Sequence, residues 1–446
     1  MKFNNDMQEI TVSADTIVTP YNILHNQEIT IHDGIISSIR PTNDQSTTND
    51  AYDSKIKHYD IVVPGFIDIQ VNGIGSVDVA SASSKGMEEI GTALLSQGTT
   101  TWCPTVITAP LLQLESQLQK VHDFAMHTAD RLPHIAGVHL EGPFITVAGA
   151  HPTKYMMPKV DIDTLRQLSG YLAIITLAPE LDGAMDAISY LSSEGVIVSL
   201  GHSGCTAEQA HNAIDRGARL VTHLGNAMSA MHHREPGLVG TALSDDRITV
   251  SLIADLLHSH PYFLELAFKS KGADHVAIIT DSVAAELGMI GVSPISNSPI
   301  SANPGNTHST GKKNPSYSKG APDREDITDK TNIPYSKDPS GQPDSVTIPR
   351  TASGHLAGST VTIPQSIANL HNTCGIGLTD CIEAVTASPA NLLKLSDRGH
   401  IAVGKRGDLV ALQKDTFSVQ ATYLNGTLLY GPISDLHNTH SSIRLS

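Results

Sequence analysis

From residue 64 onward, short apolar runs alternate with longer stretches of helical periodicity. The apolar runs are PGFIDIQV, TTTWCPTVI, HIAGVHL, LAIITLAP, VIVSLGH, RLVTH, ITVSLIAD and HVAIITD. Each has strand length and is rich in Ile, Val, Leu and Thr. Between them, MEEIGTALLSQG, LLQLESQLQKVHDFAMHT and TAEQAHNAIDRG place apolar residues every three or four positions. The first and last of these close on glycine, as helices commonly do. Eight strands with intervening helices predict an α/β fold, a (β/α)8 TIM-type barrel, whose usual length is roughly 250 residues. A doubly wound open sheet is the alternative, but it brings groups from strands three, five, six and eight to one point less readily.

The two ends of the chain follow a different rule. EITVSADTIV and QEITIHDGIISSIRP alternate apolar and polar positions, as do HIAVGKRGDLVALQK and SVQATYLNGTLLYG near the C-terminus. Turn signals such as HDG and NG separate the runs. Neither end has enough strands to stand alone. They are expected to pair as one small β-sandwich from residues 1–60 and 396–446, with the barrel at 61–395. Residues 291–350 break the barrel pattern, being crowded with Pro, Ser, Asn, Thr and Lys. Such a composition buries little apolar surface and predicts a flexible insertion, either a lid following Asp281 or a tolerated surface loop.

The polar residues at the strand ends carry the candidate chemistry. Glu141 ends strand three in GVHLEGP, His202 ends strand five, His223 ends strand six and Asp281 ends strand eight. A barrel directs the C-terminal ends of its strands to a common rim, where active sites form. One carboxylate and two imidazoles make a common catalytic set for a divalent metal. A carboxylate at Asp281 suits a general acid/base, although Asp-Ser is also a helix N-cap signal. His258 follows strand seven and is either a substrate contact or a loop cap. Asn226 and Arg234, in the donor-rich stretch THLGNAMSAMHHREPGLVG, are suited to grip an anion.

Composition narrows the class. The formal charge is −16 and aromatics are 4% of the 446 residues, with no basic run. This argues against nucleic acid or an anionic membrane as the main partner. No apolar run reaches the 18 residues of a membrane span, and the first residues lack a signal-peptide core. Cys103, Cys205, Cys374 and Cys381 are too sparse for a disulfide framework. A cytoplasmic enzyme is the expectation.

At these same residues the chain closely resembles the N-acetylglucosamine-6-phosphate deacetylases, a family within the amidohydrolase superfamily. The matching segments are PGFIDIQVNG, GVHLEGPF, GAHP, LGHSGCT, THLGNAM with REPGLVG, ADLLHSHP, ITDS and LAGST. They extend from about residue 60 to 400, apart from the insertion. The resemblance implies a metal-dependent hydrolase that removes the acetyl group from N-acetyl-D-glucosamine 6-phosphate, acting as a homodimer. It implies that Glu141, His202 and His223 bind one divalent ion, zinc or iron, with Asp281 as acid/base and His151 near the acetamido group. Asn226, the Ala227 backbone, Arg234 and His258 would bind the sugar phosphate, the arginine reaching in from the neighbouring subunit. Many superfamily members carry His-x-His where this chain has Gln70 and Asn72, and that departure implies a single metal. A deacetylase of N-acetylgalactosamine 6-phosphate or another amidohydrolase would share the metal residues. A non-catalytic sugar-phosphate binder or scaffold would be expected to lose them.

Overall fold

Eight parallel strands run in sequence order around a barrel in the computed structural model, which describes residues 9–42, 56–127, 130–284, 290–292, 299–303, 348–350 and 356–432. The barrel strands are Phe66–Val71, Thr99–Ile107, Val138–Glu141, Leu172–Leu177, Ile197–Leu200, Leu220–Val221, Thr249–Ile253 and Val276–Ile279. Each pairs in parallel with its sequence neighbour, from first to eighth. The doubly wound alternative is therefore excluded. Two strands depart most from their apolar runs. HIAGVHL divides into His134–Ile135 and Val138–Glu141, because Gly137 between them turns to φ +125. RLVTH retains only Leu220–Val221, because His223 leaves extended geometry at φ +31.

The helices form where their caps and periodicity allow. Ser84–Ser96 begins at Ser83, whose hydroxyl accepts from the Gly86 N–H. Ala207–Asp215 begins with a capping box between Thr206 and Gln209. Their buried faces meet the outward residues of the barrel strands, among them Val138, Leu140, Ile175, Leu177, Val198, Leu200, Val221, Val250, Leu252, Val276 and Ile278, in the main hydrophobic core. The alternate positions on those strands, such as Glu141, Thr176, Ser199 and Ser251, are buried polar groups.

The two ends of the chain meet in one seven-stranded sheet. It is built from Glu9–Val18, Ile23–His32, Ile35–Pro41 and Ile56–Pro64 together with Leu409–Leu412, Val419–Leu424 and Thr427–Tyr430. The expected sandwich takes the form of a single hydrogen-bonded sheet that curls until its ends touch. Ile31, near one edge, packs on Gly407 and Gly426, and the Tyr59 and Tyr423 hydroxyls bond at 2.8 Å. Val12, Ile29, Val62, Leu409, Ala421 and Tyr423 fill the curl. Ile61, Val63, Val410 and Leu412 point the other way and join the barrel core. Each such side chain stabilises the docking by about 1.5–3 kcal/mol relative to exposure. Thr422 also donates to the Leu95 carbonyl at 2.7 Å, capping the helix that leads into the second barrel strand.

The segment 291–350 includes the backbone of short antiparallel strands at Pro299–Asn303 and Ile348–Arg350, which continue a sheet begun by Ile290–Val292. Its residues 293–298 and 304–347 lie outside the described residues, and the lid reading lies there with them.

Gly98 is where barrel, helix and sheet converge. Its φ is +82, and a Cβ there would come within 2.7 Å of the Phe66 ring and 2.9 Å of Val410. Gly98→Ala should therefore lower the unfolding free energy by roughly 2–4 kcal/mol, read from the urea midpoint, through overpacking and left-handed strain. An unchanged midpoint would show that the sheet does not bear on the barrel there.

Candidate active site

Side chains from five barrel strands and one loop meet at the rim. The Glu141 Oε1 lies 3.1 Å from His202 Nε2 and 3.0 Å from His223 Nε2, and those two nitrogens are 3.2 Å apart. All three residues are buried. His202 donates its Nδ1–H to the Val147 carbonyl at 2.8 Å. That bond makes Nδ1 the protonated nitrogen and aims Nε2 at Glu141 and His223, as a lone pair unless a second proton binds there. Lone pairs and a carboxylate thus converge on one spot, an arrangement that repels itself unless a positive charge is shared.

The proton equilibria express the same demand. Burial works against the charge on Glu141, yet hydrogen bonds from His151, His202 and His223 hold its carboxyl well below the usual range. Burial likewise opposes charging His223, but bonding to Glu141 and the charges of Glu141 and Asp281 push it up. The cluster favours a cationic occupant. Its three edges of 3.0–3.2 Å are close to the roughly 3.3 Å edge of a tetrahedron whose ligands lie about 2 Å from a zinc-like ion. The donor set therefore fits a divalent cation.

His151 makes a second, overlapping triad with Glu141 and His202. Its Nε2 lies 3.5 Å from the other carboxylate oxygen, Glu141 Oε2, and its Nδ1 is tied to Thr108 Oγ1 at 2.8 Å. Burial, and then the charge on His202, lower it to about 4, so the ring is neutral near pH 7. That 3.5 Å edge is longer than the edges of the first triad, and the Thr108 bond fixes the orientation of the His151 ring. Gly142 permits the tether, since a Cβ there would lie 2.2 Å from Thr108 Oγ1.

Asp281 is held by two amides from the first strand. Asn72 Nδ2 donates to its Oδ1 at 2.8 Å, and Gln70 Nε2 donates to the same oxygen at 3.1 Å and to Glu141 Oε1 at 3.2 Å. Burial and the Glu141 charge push Asp281 up to about 6, against His223, His258 and the Asn72 bond. Three of the four rim residues carry positive φ: His202 at +49, His223 at +31 and Asp281 at +47. Such strain costs on the order of 1–3 kcal/mol per residue and collects at functional sites. Ser251 supports one of them, accepting from the His223 N–H at 2.8 Å.

One layer earlier along the same strands lies a buried chain of hydroxyls. His139 donates Nδ1–H to the Ile69 carbonyl at 3.0 Å, so its Nε2 accepts from Thr176 at 2.8 Å. Thr176 meets Thr222 at 2.7 Å, and Thr222 meets Ser199 at 2.5 Å. These bonds tie the strands that lead to Glu141, His202 and His223.

The remaining candidates divide. His258 is nearly buried, and its Nδ1 lies 2.7 Å from Asp255 Oδ2. It is close enough to Asp281 for its charge to act there. Asn226 and Ala227 form the turn after His223: Asn226 donates to the His223 carbonyl, and Ala227 accepts from the Ser203 N–H while adopting φ +51. Arg234 is not brought to the cluster. It sits on an exposed turn with its guanidinium 3.1 Å from His233 Nε2. Four functional residues escaped the sequence reading. Glu180 accepts from Thr146, Ser203 and the Gly204 N–H, bracing the loop after His202. Asp255 and Asp68 each carried a signal, an acid ending or interrupting an apolar strand. Thr108 carried none.

A TIM-type barrel with a carboxylate, two imidazoles and a nearby acid at its C-terminal rim defines a hydrolase of the metal-dependent kind. The chain belongs to the amidohydrolase family, whose profile matches residues 61–429. It is 30% identical to an N-acetylglucosamine-6-phosphate deacetylase of Bacillus subtilis, over 92% of this chain and 94% of that one. It is 28% identical to an N-acetylgalactosamine-6-phosphate deacetylase of Escherichia coli O157:H7, over 93% and 98%. It also resembles the solved structure of a mutant N-acetyl-D-glucosamine-6-phosphate deacetylase of Mycobacterium smegmatis in complex with N-acetyl-D-glucosamine-6-phosphate. That similarity has a TM-score of 0.78 at 25% identity, covering 95% of this chain and 99% of that one.

If the first triad holds the ion, His202→Ala and His223→Ala should each weaken zinc binding to the stripped protein by more than roughly 100-fold, whereas His258→Ala should not. Calorimetric titration with zinc distinguishes them, and tight binding by both rim variants would remove the triad as the metal site.

Proposed function

We propose that the protein hydrolyses the acetamide of N-acetyl-D-glucosamine 6-phosphate, releasing D-glucosamine 6-phosphate and acetate. The observation that carries this reading is the convergence of Glu141, His202 and His223 with Asp281 alongside, in a chain similar over nearly its whole length to deacetylases of amino-sugar phosphates. A divalent cation held by the triad, zinc or iron, supplies Lewis acidity and an activated water near neutral pH.

The chain's own residues supply the rest. The Oδ1 of Asp281 is occupied by the Gln70 and Asn72 amides, so its Oδ2 is the atom that takes the proton from attacking water. The same atom returns the proton to the sugar nitrogen as the C–N bond breaks. His151, neutral and anchored through Nδ1 by Thr108, offers Nε2–H to the developing oxyanion. Gln70 and Asn72 aim amide N–H groups into the place where other superfamily members hold a second ion. Donors of that polarity favour a carboxylate and disfavour a cation, which supports one metal per site. Phosphate binding by the Asn226–Ala227 turn and His258 would keep the amide within reach of these groups.

Acetate release from N-acetylglucosamine 6-phosphate should stop on chelation and return with metal. Asp281→Asn should retain metal and lose at least roughly 1,000-fold in kcat. Full turnover by the stripped protein or by that variant would defeat the mechanism. A second reading, deacetylation of the galactosamine epimer, is supported by the Escherichia coli relative. A higher kcat/KM on N-acetylgalactosamine 6-phosphate would favour it.

We also read the chain as a cytoplasmic homodimer. Arg234, exposed on its own subunit, would then serve the neighbour's phosphate site. Mixing and refolding Arg234→Ala with Asp281→Asn should recover part of the activity that each lacks. No recovery, or a monomer by sedimentation, would remove that role.

A further inference from the structure

The first and eighth barrel strands meet without a continuous ladder among the described residues. A single parallel bridge, Val71 to Ser282, and bonds from the Asn72 and Gly73 N–H groups to the Ser282 carbonyl at 2.8 and 3.1 Å join them at the rim. Deeper in the seam is one fully buried carboxylate, Asp68. Its Oδ2 accepts from Thr280 Oγ1 at 2.6 Å, and its Oδ1 accepts from the Gln70 N–H at 3.2 Å and the Thr280 N–H at 3.4 Å. Thr280 Oγ1 in turn accepts from the Ser282 N–H at 3.2 Å.

These bonds surround Asp281. The residues on both sides of it are fixed by one hydroxyl, and that hydroxyl is fixed by Asp68. Gln70, whose backbone N–H Asp68 also holds, is with Asn72 one of the two residues whose side chains donate to Asp281 Oδ1. We propose that Asp68 is a positioning residue: its carboxylate locks Thr280 and Gln70 across the barrel seam and so holds Asp281, at its strained φ, in the orientation that proton transfer requires. This rests on the acid/base reading of Asp281.

A merely structural group would not need to be ionisable at this position. Among the described residues the groups that act on Asp68 are neutral donors and the Asp281 carboxylate, with no cation. Burial pushes its carboxyl up to about 7, against the Thr280 and Gln70 bonds and with a further push from Asp281. For an acid raised in the fold to about 7 the ionised form is the disfavoured one, so stability falls as pH rises from about 4 to about 7 and the full cost of the charge is present above that. Removing that charge should therefore leave the fold intact while releasing Asp281.

The test uses the full-length, metal-loaded protein. Asp68→Asn and the isosteric Thr280→Val should each lower kcat by roughly tenfold or more with KM changed by less than about threefold and metal content unaltered, the urea midpoint being unaltered or raised for Asp68→Asn and lowered for Thr280→Val, which leaves a buried carboxylate short of a donor. Thr280→Ser, which restores the hydroxyl, should bring kcat back to within roughly threefold of the parent. Introduced into Asp281→Asn, Thr280→Val should lower the residual rate by less than about twofold, because a group acting through Asp281 has nothing left to act on. Unchanged kcat in both single variants, or a full additive loss in the double variant, would overturn the role of Asp68. High activity of Asp281→Asn alone would instead overturn the acid/base reading, so the two failures are separable.

Discussion

A buried carboxylate surrounded by imidazole nitrogens is the constraint around which the rim is organised. Glu141 is removed from water, where an isolated charge of its kind would cost several kcal/mol even after relaxation. Its neighbours compensate that cost only if positive charge is also present. In the protein alone, Glu141 and Asp281 raise the proton affinity of His223 against its burial. The site therefore discriminates by charge before it discriminates by shape, and everything near it works to keep the ligand atoms together. The Val147 carbonyl orients His202, Thr108 orients His151, and Ser251 supports the backbone of His223.

That convergence is bought with backbone strain. His202, His223 and Asp281 all leave the strand through left-handed conformations that L-residues rarely adopt. The parallel ladders behind them, and the buried hydroxyl chain from His139 to Ser199, hold the strands in register against it. Rigid packing below and strained geometry above are two parts of one arrangement.

The legible and illegible parts of the chain differ in physical kind. Eight strands could be read because burial on both faces makes them short apolar runs, as at Leu172–Leu177, and helices such as Ala207–Asp215 because burial on one side imposes a period. The four rim residues could be read because each interrupts an apolar run at its end. What could not be read was whatever depends on approach between distant segments. Thr108 matters to His151 only because Gly142 lets it come close. The split of the third strand at Gly137 and the shortness of the sixth follow from single residues with positive φ. The curl of the terminal sheet depends on Ile31 meeting Gly407 and Gly426, a contact with no local signature.

The Tyr59–Tyr423 bond joins residues 364 positions apart. During synthesis, therefore, the earliest strands emerge from the ribosome long before their partners exist. Their unpaired edges must wait, exposed to pairing with other nascent chains, until the last hairpin arrives. Such non-local closure slows folding. The barrel pairs strands that are neighbours in sequence, whereas the sheet needs segments from both ends of the described chain before it can close.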